Sequence, residues 1–331
     1  MRDPINLTQP PIVGRGGLSF RRDRPERAIT SSYVRNLPLT ERDRQMLRYL
    51  GEIGYATTDQ LTRLFWPGRV LRTASRRLLR LWEMWVLDRQ PFYLLPDYGF
   101  PRQLAYMLGR AGVKMLTDVD ENARQRDGTL LMAHNVLLGE AIIRLTEKAR
   151  SLGPGHSLSF HGEAATCTAF QWHDKWIRMR PDGLALAEYV DGTEQKEVSF
   201  YLEFDRSTQP VRHFVGKMRQ YEFYLRSHEW KKELPAFPGI LVVVWTRCRP
   251  KEEESPEEVV SRRQTIAEKR LGRIVEELLS ATRGTAHGLR WFCQRLDLVG
   301  EAPWRVVTSQ GVRQAPPFFS KDGAEPRSAR D

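Results

Sequence analysis

Three carboxylates lie in two segments that show the alternation typical of β-strands. Asp182 ends the tripeptide 180–182, Arg-Pro-Asp, and Glu203 and Asp205 belong to residues 202–205, Leu-Glu-Phe-Asp. Because successive strand side chains point to opposite faces, Glu203 and Asp205 share a face, and a neighbouring strand can place Asp182 beside them. Carboxylates this close raise one another's pKa unless a cation compensates them, and oxygen ligands suit Mg²⁺ or Mn²⁺. The pattern predicts a divalent-metal site.

The segment that follows these acids supplies basic side chains. A helix is predicted over residues 210–226, and it carries Arg212, Lys217 and Arg219. An equally weighted interpretation is that Glu203 and Asp205 form a structural network with Arg206 and Arg212 and bind no metal.

The order of these groups is similar to the core of PD-(D/E)XK nucleases. In that superfamily a helix acid, the Asp after Pro and an acid on the third strand bind the metal, and a lysine two residues later orients the attacking water. The resemblance implies that Glu140 is the helix acid and that Asp182 and Glu203 are ligands. Asp205 occupies the lysine position. The resemblance therefore assigns the water-orienting role to Lys217, as in branches where the lysine has migrated.

A second group of chemically active residues is a run of arginines near the N-terminus. In a helix predicted over residues 71–84, Arg72, Arg76 and Arg80 recur every four residues, and Arg69 and Arg77 lie close by. The apolar stripe is separate and contains Ala74, Leu78, Leu81 and Trp85. One face of this helix is predicted to pack and the other to be cationic.

The elements around the arginine helix predict a winged helix-turn-helix. Two shorter helices precede it, one starting at a Thr40 and Asp43 capping signal and one starting near Thr57, and Gly54 separates them. Extended segments at 86–89 and 103–108 follow. This order predicts DNA binding with the third helix in the major groove, against the alternative of a helical subdomain with a solvated arginine face. Trp66, Trp82 and Trp85 are expected in the core.

The elements that position the carboxylates predict a mixed α/β core. An amphipathic helix is predicted over 130–151, where His134 is expected to cap or pack the helix start, against the alternative of a role in the site. The remaining prediction comprises strands at 157–170, 176–189 and 197–205, a buried strand at 240–245, a long helix at 256–282 and a strand at 290–298.

The predicted fold class is therefore α+β, a winged helix-turn-helix followed by a restriction-endonuclease-like α/β domain. The expected organisation is a disordered basic arm at 1–38, a winged helix at 39–116, a linker at 117–129, the α/β domain at 130–308 and a disordered tail at 309–331.

Charge is concentrated at the same end as the arginine helix. The chain has 331 residues and a formal charge of +11. The first 90 positions hold 17 basic and 9 acidic residues, and the other 241 hold 35 and 32. A concentrated basic field favours a polyanion, because neutralised phosphates release counterions, although a solubilising surface remains the alternative.

The cysteines and the apolar runs of the sequence indicate the cellular compartment. The three cysteines, Cys167, Cys248 and Cys293, form no CxxC pair, which predicts reduced thiols. The longest apolar run, at 240–245, is too short to span a bilayer. We expect a cytoplasmic protein with no membrane partner.

The sequence from about residue 39 to 307 resembles the bacterial replication-relaxation family of plasmids and other mobile DNA. The residues that carry the resemblance are 39–43, Arg76-Arg77-Leu78, 103–112, His134 with Glu140, Arg180-Pro181-Asp182, 202–206 and 217–221. The resemblance implies that the partner is double-stranded DNA and that the protein acts in plasmid replication, relaxation or mobilisation, together with other replication or mobilisation proteins. It also implies a nuclease-like domain of undefined activity.

Three functional hypotheses follow. The first is a DNA-binding protein of the replication-relaxation type whose nuclease-like domain is a scaffold or second contact. The alternative is a Mg²⁺-dependent endonuclease with Asp182 and Glu203 as ligands and Lys217 orienting water. A second alternative is a winged-helix transcriptional regulator that dimerises through the helix at 256–282.

Overall fold

The computed structural model describes residues 28–92, 103–117, 129–191, 193–248, 251, 253–282 and 289–315. The chain is a mixed α and β protein, as predicted. Residues 1–27 of the predicted arm, 118–128 of the predicted linker and 316–331 of the predicted tail lie outside the described residues.

The N-terminal part is helical and is followed by a β-hairpin. Its elements in chain order are α1 (Ser31–Arg35), α2 (Glu41–Ile53), β1 (Ala56–Thr57), α3 (Thr58–Phe65), α4 (Leu71–Glu83), β2 (Leu87–Phe92), β3 (Gln103–Leu108) and α5 (Arg110–Thr117). The strands form an antiparallel sheet in the order β1-β3-β2. The three predicted helices and the two extended segments are confirmed.

Local capping explains where these helices begin and end. Thr40 and Asp43 form a reciprocal capping box at the start of α2, and Thr57 and Gln60 form another at the start of α3. Gly54 ends α2 with a φ of +82°, a conformation that favours glycine, and a side chain there would meet the Asn135 amide. The predicted helix boundaries are confirmed to within a residue or two.

The arginine helix α4 buries the predicted apolar stripe. Ala74, Leu78 and Leu81 are fully buried. Trp66, Trp82 and Trp85 are also buried, which confirms the prediction that they belong to the core.

The C-terminal part is a three-layer arrangement around one large sheet. Its elements are α6 (Thr129–Ser151), β4 (Ser157–Gly162), α7 (Glu163–Thr166), β5 (Thr168–Trp172), β6 (Lys175–Met179), β7 (Gly183–Asp191), β8 (Glu194–Asp205), α8 (Val211–Ser227), β9 (Gly239–Val244), α9 (Pro256–Thr282), β10 (Trp291–Arg295), β11 (Trp304–Thr308) and β12 (Gly311–Ala315). The sheet order is β12-β11-β10-β9-β8-β7-β4. The β8–β9 and β9–β10 pairs are parallel, and the other pairs are antiparallel.

Side-chain alternation along β8 divides the core between the two faces of this sheet. Leu202 and Phe204 belong to the cluster that α6 and the N-terminal helices join, whereas Tyr201 belongs to the cluster formed with α8 and α9. The first cluster also contains Leu50 of α2 and Leu137 of α6. The two predicted domains therefore share one core.

Several predicted boundaries are wrong. The predicted strand 157–170 is interrupted by α7, and the predicted strand 176–189 is divided at Pro181, so that β5 and β6 form a separate two-stranded sheet. The interruption occurs where Gly162 approaches α2 so closely that any side chain would collide with the Glu52 carbonyl oxygen. Such a long-range approach leaves no periodic signal in the sequence.

Two segments expected to be disordered contain ordered elements. Helix α1 lies within the predicted basic arm, and strand β12 lies within the predicted tail. A five-residue helix is too short to show a helical repeat, and β12 is an edge strand with exposed polar residues. Neither has the buried periodicity on which the sequence prediction depends.

One ion pair anchors α4 to α2. Arg77 donates to both carboxylate oxygens of Asp43, at 2.5 and 3.1 Å, and to the Pro38 carbonyl at 3.0 Å. Asp43 is 1% exposed. Burial pushes the pKa of Asp43 up, but hydrogen bonds from Arg77 and Thr40 outweigh it and hold the pKa below its usual value.

We predict that Arg77→Ala lowers the free energy of unfolding by about 3 kcal/mol, because it leaves a buried carboxylate without its cation. Urea denaturation measures this change. The matched control is Arg76→Ala, an exposed neighbour on the same helix, which is expected to cost less than about 0.5 kcal/mol. Equal small losses in both variants would show that the ion pair contributes nothing.

Candidate active site and candidate nucleic-acid interface

A pocket of about 470 Å³ opens at the carboxyl end of β8. Three predicted residues, Asp182, Glu203 and Lys217, line it together. They come from the turn between β6 and β7, from the end of β8 and from the second turn of α8. The predicted convergence of the three carboxylates Asp182, Glu203 and Asp205 is thus observed, and Lys217, which the resemblance assigned to the site, lines the same pocket.

Glu203 lies at the base of the pocket with both carboxylate oxygens occupied. One oxygen accepts from the Lys217 ammonium at 2.6 Å, and the other accepts from the Tyr221 hydroxyl at 2.5 Å. The residue is 1% exposed. Burial, together with the nearby charge of Asp182, raises the pKa of Glu203 to about 7, although Lys217 opposes the shift.

Asp182 is held differently. Its Oδ2 accepts from the Phe204 backbone amide at 2.7 Å, which fixes the turn against β8. Its Oδ1 lies 3.5 Å from His134 Nε2 and 3.9 Å from Lys217 Nζ. Burial alone would raise the pKa of Asp182, but His134, Lys217 and the Phe204 amide together lower it. Asp182 Oδ1 therefore has only long contacts with these two basic groups and faces the pocket.

Lys217 and His134 are the basic side chains beside the two acids. Burial would lower the pKa of Lys217, yet the pKa is raised because Glu203 and Asp182 stabilise the ammonium. His134 is near the start of α6, and its ring packs edge-on against Phe204 while it approaches Asp182. The expected packing role of His134 is confirmed, and the residue also lines the pocket.

Asp205 lies on the same face of β8 as Glu203, as predicted, but it has a different partner. Arg270 of α9 donates to both Asp205 oxygens, at 2.7 and 3.1 Å, and the Ser207 backbone amide donates at 3.1 Å. The alternative of a structural network thus describes Asp205, with Arg270 in place of the expected Arg206 and Arg212 as its bidentate partner. Asp205 lines the pocket but is already compensated.

Glu140 is on another face of α6, and its predicted role as a metal ligand in this pocket is wrong. Arg63 of α3 donates to it at 2.9 Å and Arg144 at 3.1 Å, and the side chain is 5% exposed. The residues of α6 that line the pocket include His134 and Leu138, four apart, whereas Glu140 is six residues from His134 and is rotated away. Glu140 joins the helices instead.

No group of three or more His, Cys, Asp and Glu side chains in the described part of the chain has an arrangement that could hold a metal ion. Asp182 and Glu203 are two carboxylates, and a bound Mg²⁺ commonly uses one or two protein carboxylates while substrate phosphates and water complete its shell. The donor set therefore fits a cation that is bound together with a phosphate substrate.

Sequence reasoning missed Glu163, Arg180 and Glu52 as lining residues of this pocket. Glu163 begins α7 and lies 3.9 Å from Arg180, and Glu52 of α2 accepts from the Gly162 amide at 2.6 Å. Arg180 was visible in the Arg-Pro-Asp tripeptide. Glu52 and Glu163 gave no signal, because their positions depend on the approach of α2 to β4.

The predicted DNA-binding arginines divide into two groups. Arg69, Arg72, Arg76 and Arg80 are exposed, and none forms an ion pair with a described residue. Arg77 is held by Asp43, so it belongs to the packing of the helices. Val70 and Leu71 are 70% and 51% exposed beside these arginines.

Two further features of the described residues concern the cysteines and the helix lengths. Cys167, Cys248 and Cys293 are free thiols. Among the described residues, no helix combines the length and the apolar character that crossing a bilayer requires.

A family model described as replication-relaxation matches residues 47–240 of the chain. The matched region includes the arginines of α4 and the pocket residues Asp182, Glu203 and Lys217. No curated protein matches the sequence.

We predict that Glu203 makes stability fall with rising pH. Since the pKa of Glu203 is about 7 in the folded state against 4.5 as its ordinary value, the folded state retains a proton between these values that the unfolded state has released. This contribution is fully present below pH 4.5 and is lost as the pH rises through 7. Relative to Glu203→Gln, the wild-type free energy of unfolding should fall by roughly 3 kcal/mol at most across this window.

Urea denaturation at pH 4.5, 6 and 7.5 measures the difference between the two proteins. Glu197→Gln, an exposed position on the same strand, is the matched control and should run parallel to wild type. If the free energy of unfolding of Glu203→Gln also changed with pH in parallel with wild type, the raised pKa of Glu203 would be contradicted.

Proposed function

This chain belongs to the replication-relaxation family, and we propose that it acts in that process by binding duplex DNA through the exposed face of α4. The observation that carries the proposal is the set of exposed arginines Arg69, Arg72, Arg76 and Arg80, which have no described acidic partner. Unpaired arginines on one helix face match the phosphates and guanine edges of DNA.

The surrounding elements support the interpretation of α4 as a recognition helix. Helices α2, α3 and α4 are followed by the β2–β3 hairpin, which is the element order of a winged helix-turn-helix. The exposed apolar residues Val70 and Leu71 begin α4, where apolar contact with a thymine methyl group accompanies arginine contacts in many complexes. Duplex DNA of a plasmid or another mobile element, acted on beside replication or mobilisation proteins, is the proposed partner.

Replacing Arg72, Arg76 and Arg80 together by Ala should weaken duplex binding by at least about 100-fold and should reduce the slope of log K against log salt by about 2.7, since each phosphate contact contributes about 0.9. Fluorescence anisotropy with a labelled duplex, titrated at several salt concentrations, measures both quantities. Arg77 is left intact because it holds Asp43.

The matched control removes the same charge elsewhere. Arg212, Lys269 and Arg273 are exposed on α8 and α9, and their triple Ala variant should change the affinity only through the net charge. Equal losses in both triple variants would show that α4 is not the DNA-binding face.

A second proposed function is metal-dependent cleavage of a phosphodiester bond in the pocket. The observation that favours it is the convergence of Asp182 and Glu203 with Lys217, which is 2.6 Å from Glu203. The two carboxylates would hold Mg²⁺ or Mn²⁺, which when bound polarises the phosphate and acidifies a water. Lys217, kept cationic by both acids, neutralises charge on the phosphate and orients the attacking water.

Cleavage is tested with supercoiled plasmid and Mg²⁺ or Mn²⁺, and nicked or linear product is the readout. Asp182→Asn should abolish product, and Lys217→Met should slow its formation by roughly 100-fold, as for loss of one group that stabilises charge in the transition state. Glu197→Gln is the control and should retain activity. Absence of nicking by wild type, or equal nicking by Asp182→Asn, excludes this second function and leaves duplex binding by α4 untouched.

A further inference from the structure

The β5–β6 hairpin presents a large aromatic ring to solvent. Trp176 is 74% exposed, the highest value among the exposed large hydrophobic residues of the described chain. It lies near the tip of the hairpin, after a turn at His173 and Asp174 in which both residues have positive φ. Burial of an indole ring is worth a few kcal/mol, so an indole kept in water on an ordered strand calls for a specific contact.

The opposite face of the hairpin is firmly packed. Phe170 and Met179 are buried in the cluster that contains α8, and the Trp172 ring stacks on Phe223 at 5.7 Å between centroids. The hairpin is thereby fixed, and the orientation of its outer face is set before any ligand binds. A preformed surface binds without the entropic cost of ordering.

Arginines continue the row from Trp176 towards the pocket. Trp176 and Arg178 are two residues apart on β6 and both are exposed, so they share the outer face. Arg180 follows two residues later, 55% exposed, and lines the pocket beside Asp182. Alternate strand residues are spaced by about 6.6 Å. Trp176, Arg178 and Arg180 therefore form a row that ends at the carboxylates of the pocket.

We propose that Trp176, Arg178 and Arg180 bind single-stranded DNA, with one base stacked on Trp176 and the adjacent phosphates on the two arginines. An aromatic ring combined with a cationic track is the usual means of binding unpaired strands, because every base has a face for stacking. In a duplex the base faces are already stacked on one another, so this row selects unpaired nucleotides. The inference rests on the proposed function only in taking the ligand to be DNA, and its site is separate from α4.

The charges around the row agree with this ligand. Lys175 is exposed next to Trp176, and Arg178 donates to the Cys167 sulfur at 3.3 Å and to no described carboxylate. The acidic groups nearby are Asp174 in the turn, and Glu163 and Asp182 at the pocket end, where Glu163 lies 3.9 Å from Arg180. The acids lie at the two ends of the row, and Arg178 in its middle forms no ion pair with a described carboxylate.

The test uses the full chain and a fluorescein-labelled dT20 oligonucleotide, followed by anisotropy. Trp176→Ala should weaken binding about ten-fold or more, the effect of losing one stacked base, while Trp176→Phe should retain most of the affinity. Arg178→Ala should lower the salt slope by about 0.7, the value for one phosphate of a single strand. Val312→Ala, an exposed apolar residue on β12, is the matched control and should bind as wild type does.

A labelled duplex measured in parallel separates this inference from the proposed function. Trp176→Ala should bind the duplex normally, whereas the α4 triple variant should lose duplex binding and bind dT20 through the hairpin. If the α4 variant binds duplex normally and Trp176→Ala still loses dT20, the proposed function fails and the inference stands. Wild-type affinity of Trp176→Ala for dT20 overturns the inference, as does equal weakening by Val312→Ala. The inference also fails if Trp176→Ala changes the sedimentation coefficient and leaves the affinity for dT20 unchanged, because Trp176 would then belong to a contact between protein chains.

Discussion

The buried carboxylate of Glu140 and its guanidinium partner Arg63 connect the two halves of this protein. Arg63 of α3 donates to Glu140 and also to Glu147 of α6, at distances of 2.9 Å and 2.5 Å. Arg150 of α6 donates in return to the carbonyls of Arg63 and Leu64, near the end of α3. A buried carboxylate is tolerated only with cations held in good geometry, and separating α3 from α6 would leave Glu140 with Arg144 alone and would remove Arg63 from Glu147. The arginine face of α4 is consequently held in a fixed relation to the central sheet.

Electrostatic compensation distinguishes the structural acids from the candidate catalytic ones. Asp205 has a bidentate arginine, and Asp43 has Arg77 together with two hydrogen bonds from Thr40. Glu203 instead shares the single ammonium of Lys217 with Asp182, and its pKa rises to about 7. A fold that only needed stability would gain from a second cation or from apolar residues at this position. Incomplete compensation in an open pocket is characteristic of sites that bind an additional charged group.

Local patterns in the sequence predicted local structure well, and failures occurred where position depends on a distant partner. The capping pairs at Thr40 and Thr57 and the buried stripe of α4 follow from spacing alone. Strand alternation also predicted that Asp182 lies beside Glu203, whereas Lys217 was assigned to their site by the resemblance alone. Glu140 was misplaced because a family layout, rather than helical spacing from His134, assigned its face. Arg77 was misassigned because a four-residue repeat does not show which neighbouring arginine meets a buried acid. Glu52 and Glu163 depend on a backbone approach at Gly162 that no periodicity reveals.

Helix α2 links the proposed DNA-binding face to the pocket within one rigid element. Near its start Asp43 holds Arg77 of α4, and near its end Glu52 lines the pocket and accepts from Gly162. Asp43 and Glu52 are nine residues apart on this 13-residue helix, a distance of about 14 Å along its axis, and because one helix carries both contacts they cannot move independently. By linkage, any factor by which a pocket ligand changes the duplex affinity proposed for α4 equals the factor by which duplex changes the affinity for that ligand.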